Sequence, residues 1–131
     1  MSYFECSFLV PLRGDSGLSD GELHAVETWS RLENELFRRF EGYTWAPGSY
    51  RGVYRDPDSQ VAVPDESRKC VVALSEERLP ELRQLLSIAA VLFHQKMIYL
   101  SVAGRVEFIE HPHETNEEAI SNFGRSTDSP R

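Results

Sequence analysis

Apolar residues in this chain recur at two different spacings, and the order in which those spacings alternate restricts the fold more tightly than any single motif. Phe4, Cys6, Phe8 and Val10 occupy every second position, with Tyr3, Glu5, Ser7 and Leu9 between them. Side chains on a strand point alternately to opposite faces, so this run predicts a half-buried first strand. From Leu23 the period lengthens. Leu23, Val26, Trp29, Leu32, Leu36 and Phe40 recur at helical spacing and predict one buried stripe on a helix. Ser19 with Glu22 reads as a capping box at its start, and Gly42 as the left-handed residue that closes it.

Period two then returns. Pro47-Gly48 predicts a bend, after which Tyr50, Gly52 and Tyr54 share one strand face and Arg51, Val53 and Arg55 the other. Cys70, Val72 and Leu74 mark the next strand. A second helical stripe follows in Leu82, Leu85, Leu86, Ala89, Leu92 and Phe93, with Pro80 in a first turn where its missing N–H costs nothing. Ile98, Leu100 and Val102 alternate with Met97, Tyr99 and Ser101. Ala103-Gly104 then turns the chain into a short extra strand over 105–109, one continuous bulged strand being the alternative. Strand, helix, strand, strand, helix, strand is the split βαβ order of an α+β sandwich, an antiparallel sheet with two helices on one face. Residues 1–110 form the domain, and 111–131 are expected to be a polar, flexible tail with one helical turn over 117–122.

Three short stretches carry a family resemblance. Phe40, Gly42 and Thr44 read F-x-G-x-T, "GVYRD" follows about ten residues later, and "ESRK" opens an apolar strand. In this order the chain resembles small uncharacterised bacterial ferredoxin-like proteins over residues 4–109. The resemblance implies the ferredoxin-like fold and brings no activity with it. The PII regulatory proteins are similar in element order and in the long connection between the second and third strands, a likeness of topology alone.

A formal net charge of −7 over 131 residues repels phosphate backbones, so nucleic acid is not an expected partner, nor is an acidic membrane surface. The longest apolar run, "LLSIAAVLF", is too short to span a bilayer. The start "MSYFECSFLV" lacks a basic region and carries Glu5 within its apolar stretch, so it does not read as a signal peptide. Cys6 and Cys70 both sit at core parity, as reduced buried thiols do, and a cytoplasmic setting is the consistent expectation.

Chemistry-bearing residues fall into a few groups. Asp56, Asp58, Asp65 and Glu66 lie in "DPDSQVAVPDE", where an apolar interruption and a proline break the alternation a calcium loop needs. No metal site is expected there or at His111-Pro112-His113, which supplies only two poorly placed ligands. Arg51, Arg55, Arg68 and Lys69 would form a cross-strand basic patch able to grip a carboxylate or phosphate, or would pair with Asp56 and Glu66 across the hairpin. Neither a catalytic residue nor a cofactor is assigned. Arg51, Tyr54, Arg55, Arg68 and Tyr99 are the candidates for holding a small anionic ligand. Tyr3, Glu5, Ser7, Met97 and Tyr99 lie on the sheet face without helices, which is neither fully polar nor fully apolar. That face suits self-association, as a dimer first and a trimer second, and makes a non-enzymatic binding or assembly module the leading reading. The alternative is an enzyme or ligand sensor with a cavity between paired sheets, lined by Tyr54, Arg55, Glu5 and Tyr99.

Overall fold

The computed structural model describes residues 2–114 and 116–125. Its elements run β1 (Phe4–Pro11), α1 (Val26–Phe40), β2 (Thr44–Trp45), β3 (Tyr50–Arg55), β4 (Ala62–Leu74), α2 (Leu79–Leu92), β5 (Met97–Val102), β6 (Arg105–Glu110) and α3 (Glu117–Asn122). One six-stranded sheet has the order β2-β4-β1-β5-β6, with β3 also on β4, and every pairing is antiparallel. The architecture is the α+β arrangement that the alternating periods predict. Cys6, Phe8, Val10, Cys70, Val72, Leu74, Ile98 and Leu100 from one sheet face meet Leu32 and Leu36 of α1 and Leu82, Leu85, Leu86 and Ala89 of α2 in a single buried cluster. Burial raises the thiol of Cys6 to about 11 and that of Cys70 to about 12, so both are inert small hydrophobes. No helix among the described residues is long and apolar enough to cross a membrane.

Two local expectations are corrected. Ser19 does not cap α1: its Oγ donates to the Asp15 carbonyl and accepts from the Gly21 N–H. Residues 12–14 and 22–24 pair instead, through His24 N–H to the Leu12 carbonyl at 3.2 Å and Gly14 N–H to the Glu22 carbonyl at 3.3 Å. This pairing engages the backbone groups that a longer helix would need, and it leaves Leu23 and Val26 exposed. At the other end the left-handed position falls on Glu41 (φ 63°) rather than Gly42. Ala103 and Gly104 both have positive φ, 48° and 89°, so they form a tight hairpin and β6 is a separate strand. The Arg83 guanidinium donates to both carboxylate oxygens of Glu107 at 2.6 and 3.1 Å, tying β6 to α2.

Within the segment expected as a tail, residues 116–125 lie against α1. Phe123 joins the core cluster, 3% exposed. Arg31 donates to the carbonyls of Phe123 and Ile120 at 2.8 and 2.5 Å, and Asn34 donates to the Gly124 carbonyl at 3.1 Å. The buried Glu35 carboxylate accepts the Gly124 N–H at 2.8 Å and pairs with Arg38 and Arg39. Gly124 is required here, because its φ is 67° and a Cβ would lie 2.0 Å from the Arg31 carbonyl oxygen. One apolar residue, one glycine and a set of helix side chains are enough to anchor a polar stretch. Residues 126–131 of the expected tail lie outside the described residues.

Burial alone would raise the Glu35 carboxyl, but the Arg39 hydrogen bond, the Gly124 N–H and the charges of Arg39 and Arg38 outweigh it and hold the pKa below the usual value. A depressed carboxylate contributes stability above its unfolded pKa, near 4.5, and that contribution is lost as pH falls through the folded value. Glu35→Gln should therefore cost about 2 kcal/mol at pH 7, the scale of hydrogen bonds to a charged group, with the gap closing below the unfolded pKa. Urea unfolding of both proteins from pH 7 to pH 3 measures this. Gly124→Ala should detach residues 116–125 and cost up to about 3 kcal/mol, the worth of one buried Phe, seen as faster amide exchange there.

Candidate functional site: a cavity between the sheet and its hairpin

Strand β4 is 13 residues long and β1 only 8, so the two part company at the Pro11↔Ser67 pair. Beyond that point residues 62–66 pair with β3 alone, from Arg51↔Glu66 to Arg55↔Ala62. The tip, 56–61, is an Asx turn: Asp56 Oδ2 accepts the N–H groups of Asp58 and Ser59 at 3.2 and 2.8 Å. The hairpin does not stand free. Tyr54 Oη donates to Asp15 Oδ1 at 2.8 Å, and Lys96 Nζ reaches Asp56 Oδ1 at 2.8 Å and Asp58 Oδ2 at 2.7 Å. The Lys96 N–H donates to Asp15 Oδ2 at 2.7 Å, so both fastenings converge on the start of β5.

Between this hairpin and the sheet face without helices lies a cavity of about 530 Å³. Leu9 of β1, Met97 and Tyr99 of β5 and Phe108 of β6 line it from the sheet, and Gly52, Tyr54 and Arg55 from the hairpin. Tyr99 and Phe108 stand opposite each other in the ladder, their rings edge to face with centroids 5.9 Å apart. Asp15, Asp65 and Lys96 supply its polar end. Burial and the nearby Asp15 charge raise the Asp65 carboxyl. The Tyr54 phenol is raised by burial and by donating to Asp15. Asp56 is lowered by its hydrogen bond to Lys96, which is raised in turn by the same partner. Gly52 leaves room that a side chain would fill, since a Cβ there would sit 3.2 Å from Asp65 Oδ1. A second cavity of about 560 Å³ adjoins on the far side of Tyr54, between residues 11–16 and the hairpin.

Of the residues singled out from sequence, Tyr54, Arg55 and Tyr99 are brought to the first cavity and Arg51 to the second. Arg68 is at neither, because it faces the helices and stacks between Trp29 and Trp45, 4.7 and 3.9 Å from their ring centroids. Lys69 lies over the Tyr50 ring. The four basic residues thus form no common patch. Glu5, Ser7, Met97 and Tyr99 share the open face, and Tyr3 precedes it, 63% exposed. Asp15, Lys96 and Phe108 line the cavity without having been singled out from the sequence, and Asp65, weighed there only as a calcium ligand, lines it too. Only Phe108 had a signal, the period-two pattern of β6; the others meet through folding across the sheet. Cys6 and Cys70 do not line either cavity, and no group of three His, Cys, Asp or Glu residues among those described is placed to hold a metal ion.

No protein-family model and no curated protein matches the chain. Solved structures do. A phage SAM lyase in complex with S-methyl-5′-thioadenosine superposes with a TM-score of 0.61 and 17% identity, covering 86% of this chain and 93% of that one. A phage SAM lyase in the apo state gives 0.53 and 17%, with coverage of 86% and 92%. The fold is ferredoxin-like. The divalent cation tolerance protein CutA1 from Thermus thermophilus gives 0.48 at 15% identity, covering 92% and 93%. At these identities the likeness is one of fold.

Without Tyr54 Oη the hairpin loses its hydrogen bond to the Asp15 carboxylate. Tyr54→Phe should keep the fold and raise amide exchange over residues 50–56, and hydrogen-exchange mass spectrometry of the variant measures it.

Proposed function

We propose that this chain is a small-molecule-binding domain whose ligand lies on the open sheet face beneath the β3–β4 hairpin. The observation that carries the reading is the cavity itself: about 530 Å³, floored by Leu9, Met97, Tyr99 and Phe108 and roofed by Tyr54. A pocket of that size with mostly apolar walls and a few convergent polar groups is what a small ligand with one flat ring fills. Tyr99 and Phe108 offer ring faces and edges for stacking, and Tyr54, Asp15 and Asp65 offer polar partners at one end. Charge argues against the small anion suggested by the arginines. Asp15 and Asp65 line the polar end, Lys96 is paired with two further carboxylates, Arg55 donates to the Gln60 carbonyl of its own hairpin, and Arg68 lies outside the cavity between two tryptophans. The ligand class we infer is therefore a neutral or cationic ring compound of the thioether-nucleoside type. The phage SAM lyase bound to S-methyl-5′-thioadenosine shares the fold and supplies the chemical example.

Titration calorimetry with S-methyl-5′-thioadenosine tests this. Saturable binding is expected, weakened about tenfold or more by Tyr99→Ala or Phe108→Ala, the worth of one base-stacking contact. Absence of heat, together with unshifted NMR signals for residues 97–108, would sink the proposal. Incubating the bound compound and analysing it afterwards separates a binder, which returns it intact, from an enzyme, which does not.

Self-association is a second reading, favoured by the exposed apolar row on β5 and β6: Val106 is 49% exposed, Phe108 59% and Tyr99 36%. A second copy laid on this face would roof the cavity's open side. Native mass spectrometry should then give a dimer, or failing that a trimer, and Tyr99→Arg should reduce it to the monomer mass.

A further inference from the structure

The β3–β4 hairpin is a built-in strap, and we propose that Lys96, by gripping Asp56 and Asp58, fastens it across the cavity and sets how readily a ligand enters. This rests on the preceding reading in one respect only, that the cavity takes a ligand. Past the Pro11↔Ser67 pair the hairpin has no neighbouring strand but its own, and β3 forms an outer edge. Its polar ties to the rest of the domain are few among the described residues. At the root the Leu12 N–H donates to the Glu66 carbonyl at 2.8 Å. At the distal end are Tyr54 Oη to Asp15 and the two Lys96 ion pairs. A segment that joins the sheet through β4, is tied at its root by that backbone bond and by Ser49 Oγ to Glu66, and is held at its end by three side-chain contacts swings as a unit when the end is released.

Charge makes Lys96 the fastener rather than an ornament. The hairpin tip brings Asp56 and Asp58, and the strand behind them Asp65, towards the Asp15 carboxylate on the body of the domain. Burial first and the Asp15 charge second raise the Asp65 carboxyl, in keeping with the two carboxylates standing at the same end of the cavity. With Lys96 in place, one cation sits between the two tip carboxylates. Remove its charge and the tip carboxylates face Asp15 with no cation between them, a repulsion opposed at the distal end, among the described residues, by the Tyr54 Oη hydrogen bond alone. Asp58 is 75% exposed on its side chain, so dissolved salt reaches the pair and screens it.

Hydrogen-exchange mass spectrometry on the full chain decides the point without any ligand. In Lys96→Met, amides of residues 50–66 should exchange about tenfold faster than wild type while those of α2 and β1 are unchanged, the pattern of a local opening. Raising salt should move wild type in the same direction, and should slow exchange in Lys96→Met by screening the repulsion left there. Asp58→Asn, at an exposed position where folding is not at risk, should give a smaller shift of the same kind. Unchanged exchange over 50–66 in both variants overturns the strap. Stopped-flow mixing with S-methyl-5′-thioadenosine then tests gating: Lys96→Met should bind and release it faster, by a similar factor each way. Faster exchange with an unaltered association rate also overturns the proposal. Failure of that nucleoside to bind wild type overturns the ligand reading of the preceding section and with it the gating role, while the exchange result still decides the latch.

Discussion

A difference in strand length governs this molecule. β4 continues past the point where β1 ends, and antiparallel pairing then obliges the excess to find another partner. β3 is that partner, and it pairs only with the excess and its immediate neighbour Ser67. The sheet therefore ends in a two-stranded ribbon, which on its own is marginal in water. Everything at the candidate site follows from how that ribbon is secured. It bends towards β5, Tyr54 and Asp56 find partners at residues 15 and 96, and a sheet face that would otherwise be flat acquires a roof.

Much of this was legible in the primary structure, and the boundary of legibility is physical. The strands and the core followed from parity: Cys6, Phe8 and Val10, then Cys70, Val72 and Leu74, then Ile98 and Leu100 all face the helices. Period carries that information because burial acts on one face at a time. The start of α1 was misread because Ser19 and Glu22 satisfy a local capping pattern, yet the backbone there is engaged by residues 12–14. Long-range pairing overrode a local signal. Arg68 was misassigned for a similar reason, since nothing in "ESRK" announces that two aromatic rings will enclose it. Asp15 and Lys96 were invisible as site residues because 81 positions separate the partners of their hydrogen bond. The docking of 116–125 escaped notice because its anchor, Phe123 with Gly124, is two residues in a polar stretch.

The two ends of the domain use the same device. At one end the buried Glu35 gathers Arg38, Arg39 and the Gly124 N–H; at the other the Lys96 ammonium gathers Asp56 and Asp58. The first group is shielded, with Glu35 1% exposed, and it is structural. The second is open to water on one side. Identical chemistry in different dielectric surroundings yields a permanent clasp in one place and a releasable one in the other.

Arg68, enclosed by Trp29 and Trp45, has a consequence for anyone observing the molecule optically. The chain has two tryptophans, and both lie on this one guanidinium, with Trp45 also donating to Glu33 at 2.8 Å. Intrinsic indole emission is thus a single-station signal. It reports the seam where α1 meets β4, on the helix side of the sheet, and is silent about events on the opposite face. A colour change on unfolding and an unmoved spectrum on ligand addition would be fully compatible in this protein.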